Sequence, residues 1–167
     1  RMFKTIINQF KKKQPLEPQL PNVICIGAQK AGTSWLFEQL KAHPDVAVGK
    51  NAKGVDVKEA HYWDLRQERG LEWYKSLYKT TKDIRLDITP AYSVLSKKVI
   101  KQFYSVLPNC KLILIVRNPI DRAWSLAQMN IEHFGLDKDD VSNDWFVNQF
   151  NDKGSITRGD YPSIIEK

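Results

Sequence analysis

The sequence predicts an α/β fold, a central parallel sheet flanked by helices, and two observations predict it. Short apolar runs (NVICIG, RLDIT, KLILIV) alternate with segments of helical spacing. Strands that alternate with helices pair in parallel, because the helix is the crossover that returns the chain to the same end of the sheet. The first such strand also passes into the first helix through a glycine-bracketed loop, Gly27 to Ser34 (GAQKAGTS), the outline of a phosphate cradle.

The elements follow in order. Residues 1–21 form a basic lead-in, with FKTIINQFKKK as a short amphipathic helix and QPLEPQLP as an extended proline-rich linker. The body begins at residue 22. NVICIG is a buried strand, being a short apolar run closed by glycine. TSWLFEQLKAHP is a helix that Pro44 closes, and Val46–Val48 a short strand. KNAKGVDVKEA reads as a polar loop. Leu71, Tyr74, Leu77 and Tyr78 give a helix over Gly70–Tyr78. RLDIT is a strand ending at Pro90, and SVLSKKVIKQFYSVLP a helix stopped by Pro108. KLILIV is the clearest buried strand. Asn118 and Pro119 are the N-cap and first residue of the helix NPIDRAWSLAQMNIEHF. A charged loop, DKDDVSNDW, leads to a helix around Trp145–Phe150, and RGDYPSIIEK is the last piece. A further strand and helix are expected beyond Lys167.

Composition narrows the function. The chain has 167 residues, 42% hydrophobic and 27% charged, with a formal net charge of +7. Of the 26 basic residues, Arg1, Lys4, Lys11, Lys12 and Lys13 precede residue 14, which leaves 21 against 19 acidic ones. The basicity is mostly an N-terminal arm and the body is near neutral, so a nucleic-acid partner is not expected. Cys25 and Cys110 lie in apolar runs and read as core, and no Cys/His spacing suggests a metal. No run is long and apolar enough for a membrane span, and the N-terminus lacks the apolar core of a signal peptide. A cytoplasmic protein is expected.

The loop carries the chemistry. Gly27-x4-Gly32-Thr33-Ser34 fits a Walker A frame except that Thr33 stands where the lysine would be, and Lys30 sits three places early. Backbone N–H groups and the helix N-terminus can still bind an anion. The lysine that grips the β- and γ-phosphates of a triphosphate is lost. A second candidate follows the clearest strand, where Arg117 ends the apolar run and Ser125 lies about two turns into the next helix. An arginine supplies charge and a fork of donors to a phosphate, a serine a hydroxyl.

QKAGTSWL after an apolar strand resembles the 5′-phosphosulfate loop of the sulfotransferases that use 3′-phosphoadenosine 5′-phosphosulfate (PAPS). That resemblance implies a P-loop-type three-layer fold, here lacking its C-terminal part, and a donor site at Gln29, Lys30, Ala31, Gly32, Thr33 and Ser34. LILIVRNPIDRAWS resembles the family's 3′-phosphate motif, which implies Arg117 and Ser125 as its ligands. The product would be 3′,5′-adenosine bisphosphate (PAP), with no metal. Lys30 would stabilise charge on the leaving oxygen.

KEAHYWD, Lys58 to Asp64, is similar to the KE-x-H-F-F-D stretch of the heparan sulfate sulfotransferase branch and related bacterial enzymes. The likeness implies Glu59 as general base, supported by His61 and Asp64. A carboxylate within hydrogen-bond reach of the acceptor's hydroxyl or amine could take its proton. RLDITPAYSVL resembles the family's E-K-T-P-A-Y-F segment, with Asp87 for the glutamate and Ile88 for the lysine. Asp87 is thus an alternative base or orienting carboxylate and Thr89 an acceptor-site donor, while Tyr92 reads as core. GSITRGDYPSII resembles the segment before a late helix, which brings Arg158, Gly159 and Tyr161 to the site. Arg122 and Asp121 read as a solvated or helix-N-terminal pair, with Arg122 also able to assist at the nucleotide. The acceptor, a small molecule, glycan or lipid, is not legible, and the aromatics of KEAHYWDL and LEWYKSLY either line its pocket or fill core. The rival readings are a divergent P-loop kinase using Mg-ATP and an inactive nucleotide-binding module.

Overall fold

The computed structural model describes residues 16–167, so the expected amphipathic helix in FKTIINQFKKK lies outside the described residues. The sheet has five strands: β1 (Val23–Gly27), β2 (Val46–Lys50), β3 (Asp56–Val57), β4 (Ile84–Ile88) and β5 (Lys111–Leu114). Their order is β3-β2-β4-β1-β5. β2, β4, β1 and β5 are parallel, and β3 pairs antiparallel to β2. β3 lies inside the stretch expected to be a loop. Two residues of alternating polarity are too short a run for a periodic signal, and only the neighbouring strand makes them one.

The helices are α1 (Thr33–Lys41), α2 (Tyr62–Leu65), α3 (Gly70–Ser76), α4 (Lys97–Val106), α5 (Pro119–Phe134), α6 (Asn143–Asn151), α7 (Lys153–Gly159) and α8 (Tyr161–Ile165). Side-chain caps set several of these starts. Ser96 accepts from Val99 N (3.4 Å), Asn118 from Ile120 N (2.9 Å), Ser142 from Trp145 N (3.2 Å) and Asp152 from Ser155 N (2.9 Å). Pro90–Val94 forms a separate 3₁₀ turn, so α4 begins later than the apolar pattern suggested. α7 was not foreseen. Its glycine and short polar residues carry little helical signal, and the Asp152 cap and the contact with α5 supply what propensity lacks.

Alternate residues of the central strand β1 face opposite layers. Ile24 packs with Tyr62, Trp63, Tyr74, Tyr78 and Tyr92, joined by Val99 and Phe103 of α4. Cys25 packs with Phe37 of α1 and with Val46, Val48, Leu86 and Ile88. That is the three-layer arrangement. The aromatics of KEAHYWDL and LEWYKSLY therefore mostly fill core: Tyr62 stacks on Tyr74 at 4.6 Å between ring centroids, and Trp63 meets Tyr62 edge-on at 5.0 Å.

Two expectations change. KLILIV is a strand, but it lies at the sheet edge, paired only with β1 among the described residues, and leaves Leu112 and Val116 more than half exposed. The described part of the proline-rich linker, from Leu16 on, is docked: Pro18 bridges to Lys79, Gln19 N donates to Tyr78 O (3.3 Å), Arg85 Nε donates to Leu20 O (2.8 Å), and Pro21 is buried. Among the described residues no helix is long and apolar enough to cross a membrane.

Candidate active site

The C-terminal ends of β1, β4 and β5 open on one cavity of about 380 Å³. At the end of β1, Gly27 has φ +134° and leaves no room for a Cβ, which would meet Pro90 O at 2.9 Å. The loop then turns through Lys30 (φ 66°) and Gly32 (φ 108°) into α1. Gly32 is the N-cap of α1 and has no side chain to cap it, so the positive end of the helix meets the cavity without a capping side chain. Thr33 is buried beneath this turn and Ser34 is exposed.

β5 delivers the second half. Ile115 N donates to Gly27 O (2.7 Å) and Ala28 N to Ile115 O (2.9 Å), which extends the β1–β5 pairing to the loop. Arg117 follows, and its guanidinium donates to Lys30 O (3.1 Å). Ser125 and Met129, one turn apart on α5, line the cavity beyond it.

The third wall is the Lys58–His61 loop, strapped to the end of β4 from beneath. Ile88 N donates to Lys58 O (3.2 Å), Ala60 N to Asp87 Oδ1 (3.5 Å) and His61 N to Thr89 Oγ1 (3.4 Å). Asp87 Oδ2 accepts from Tyr74 (2.6 Å) and Tyr92 (3.3 Å), and Oδ1 from Thr89 (2.7 Å). The Tyr92 hydroxyl in turn accepts from Tyr62 N (2.8 Å). Burial pushes the Asp87 carboxyl above its ordinary range, against these hydrogen bonds, which pull it down.

On the cavity side, Glu59 Oε2 lies 3.2 Å from His61 Nε2, and His61 Nδ1 lies 2.8 Å from Asp64 Oδ2. Glu59 Oε1 accepts from Lys58 Nζ (2.9 Å). Lys30 and His61, the positive-φ residues other than glycine among the described residues, both line this cavity. Such conformations cost energy and persist where the surrounding structure over-determines them, a pattern that clusters at functional sites.

The cavity thus brings together Gln29, Lys30, Gly32, Thr33, Ser34, Glu59, His61, Arg117 and Ser125 of the residues singled out in the sequence, and Arg158 from α7. Ala31 is in the loop without facing the cavity, and Asp64 stands behind His61. Asp87 and Thr89 are wholly buried under the loop, so the structure places them beneath the site instead of on its acceptor side. Tyr161 stands behind Arg117: its hydroxyl donates to Arg117 O (2.8 Å) and accepts from Arg117 N (3.2 Å). Arg122 is no solvated residue. It is 1% exposed and donates to the carbonyl and hydroxyl of Ser155, which fastens α7 to α5. Lys58 was passed over in the sequence, although its place beside Glu59 was the signal.

A glycine-turned loop running into a helix N-terminus at the carboxyl ends of a parallel sheet, with Arg117 and Ser125 across the cavity from it, is an α/β arrangement suited to an anion. The chain belongs to the sulfotransferase domain family, which it matches over residues 20–166. It is 39% identical over 114 residues to human (Homo sapiens) heparan sulfate glucosamine 3-O-sulfotransferase 6, an alignment covering 66% of this chain and 31% of the relative. It is also 39% identical over 110 residues to human heparan sulfate glucosamine 3-O-sulfotransferase 3B1, covering 64% and 26%. The chain thus spans less than a third of the length of these relatives. A crystal structure of a sulfotransferase from Alicyclobacillus acidocaldarius shares the fold, with a TM-score of 0.63 at 19% identity over 89% of this chain and 67% of that one.

Proposed function

We propose that the chain transfers a sulfuryl group from PAPS to an acceptor hydroxyl or amine. The observation that carries this reading is the Glu59–His61–Asp64 relay opening into the same cavity as the phosphate loop and Arg117. The residues present fit the donor. The uncapped N-terminus of α1, Lys30 and the Ser34 hydroxyl suit its 5′ end, and Arg117 with Ser125 suits its 3′-phosphate. Gln29, Ala31 and Thr33 complete the loop.

PAPS supplies an activated sulfuryl group whose leaving group is a phosphate. Glu59 takes the acceptor's proton as the acceptor attacks sulfur in line. His61 and Asp64 hold Glu59 in place. Lys30 stabilises the negative charge that the departing phosphate oxygen acquires. Asp87, Thr89 and Tyr92 carry no proton in this scheme and keep the base-bearing loop on β4. The relatives are named for a glucosamine hydroxyl of heparan sulfate, and a glycan hydroxyl is the first acceptor class to try.

Calorimetric titration with PAP, with and without magnesium, and with ATP for comparison, tests the reading. Micromolar PAP binding, independent of magnesium and tighter than ATP, is expected. Absence of PAP binding by the folded protein would overturn it. ATP binding that requires magnesium would mark a divergent P-loop kinase instead.

A further inference from the structure

We propose that Lys58 is a donor-contacting residue that holds the sulfuryl end of PAPS, and that it links donor binding to the base. The inference rests on the reading of the cavity as a PAPS site. Lys58 Nζ lies 3.0 Å from Ser34 Oγ, on the first turn of α1, and 2.9 Å from Glu59 Oε1. One ammonium, 24 residues from Ser34 in the chain, therefore joins the phosphate loop to the base.

Two features set this apart from an ordinary surface ion pair, which needs no particular placement. An ammonium has three N–H donors, and two are committed here among the described residues. The lysine is also held against the positive, uncapped end of α1. A cation there is electrostatically unfavourable, and Glu59 is the one carboxylate paired with it among the described residues. A sulfuryl oxygen on the cradle would take the free donor and add a second anionic partner at the helix end.

The step balances without a further reactant. The acceptor oxygen or nitrogen forms the new bond to sulfur and passes its proton to Glu59. The bond from sulfur to the bridging oxygen breaks, and that oxygen leaves with the electron pair on PAP. Lys58 neutralises sulfuryl oxygens, which PAP lacks, while Lys30 serves the bridging oxygen. As Lys58 turns to the sulfuryl group, its hold on Glu59 Oε1 loosens and that oxygen is freed for the acceptor.

The experiment compares the binding of PAPS and of PAP to wild type, Lys58→Met and Lys58→Arg. The missing charge-assisted contact should weaken PAPS binding to Lys58→Met by about 10- to 100-fold, and PAP binding by less than about threefold. Retained PAP binding also shows that the variant is folded. Lys58→Arg, which keeps the cation, should recover most of the loss. Equal loss for PAPS and PAP, no loss for either, or a Lys58→Arg as weak as Lys58→Met would each overturn the assignment. If wild type binds neither nucleotide, the donor reading itself fails and the proposal falls with it. If wild type binds PAP, the donor reading stands whatever Lys58 does.

Discussion

The Arg117 guanidinium donates to the Lys30 carbonyl at 3.1 Å, across 87 residues of chain. One end of the bond is the arginine that follows β5 and the other the glycine-bracketed loop after β1, so two walls of the cavity are fastened to each other. Tyr161 adds two hydrogen bonds to the backbone of the same arginine. A preorganised pocket spends less of its binding energy on ordering itself.

Arg117→Ala removes both the fork of donors for a phosphate and the tie to the loop. It should weaken PAP binding by about 2–3 kcal/mol, roughly 30- to 150-fold, in a calorimetric titration. The far-ultraviolet circular dichroism spectrum should be unchanged, because Arg117 is exposed.

Glu59→Gln keeps the size of the side chain and removes its basicity. Sulfuryl transfer from PAPS to an acceptor should fall about 10²- to 10⁴-fold, while PAP affinity stays within about threefold of wild type. Full activity in this variant would remove Glu59 from the role of base.

Tyr92→Phe deletes the hydroxyl that joins Asp87 to the amide of Tyr62. It leaves that buried N–H without a partner, which costs about 1–3 kcal/mol. Urea unfolding should show a lower midpoint and an unchanged slope.

Asp87 gives a pH signature. Its carboxyl is raised above the ordinary 3.8 by burial, so the folded protein binds that proton more tightly than the unfolded chain. The stability from this group is full below 3.8 and is lost as pH rises through the raised folded value. Asp87→Asn cannot titrate. The stability of wild type relative to Asp87→Asn should therefore fall as pH rises from about 3.8 toward neutrality, read from paired urea titrations. A difference that stays constant or grows with pH would contradict the shift.

Thiol labelling checks the interior. Burial pushes the Cys25 thiol up, and that of Cys110 to about 11. Both should resist a disulfide reagent at pH 8 in the native protein and react fully once it is unfolded.

The alternation of strands and helices, the turn chemistry of the phosphate loop and the capped start of α5 were legible in the sequence. Each is a local matter: apolar period, glycine at a turn, Asn-Pro at a helix start. Lys30, Ser34 and Arg117 were legible from the glycine-bracketed loop and from the apolar run that ends at Arg117, whereas Glu59 was legible only through the resemblance of KEAHYWD to a family motif. What the sequence could not say is which chemically similar residues lie under the loop and which on it. Asp87 and Glu59 are both carboxylates in stretches that resemble family motifs. Only the packing of β4 against the Lys58–His61 loop buries the first and leaves the second at the cavity. The edge position of β5, the burial of Arg122 and the bridge from Lys58 to Ser34 depend in the same way on contacts between distant segments. Local propensity is a property of neighbours in the chain, whereas burial and charge pairing are decided by neighbours in space.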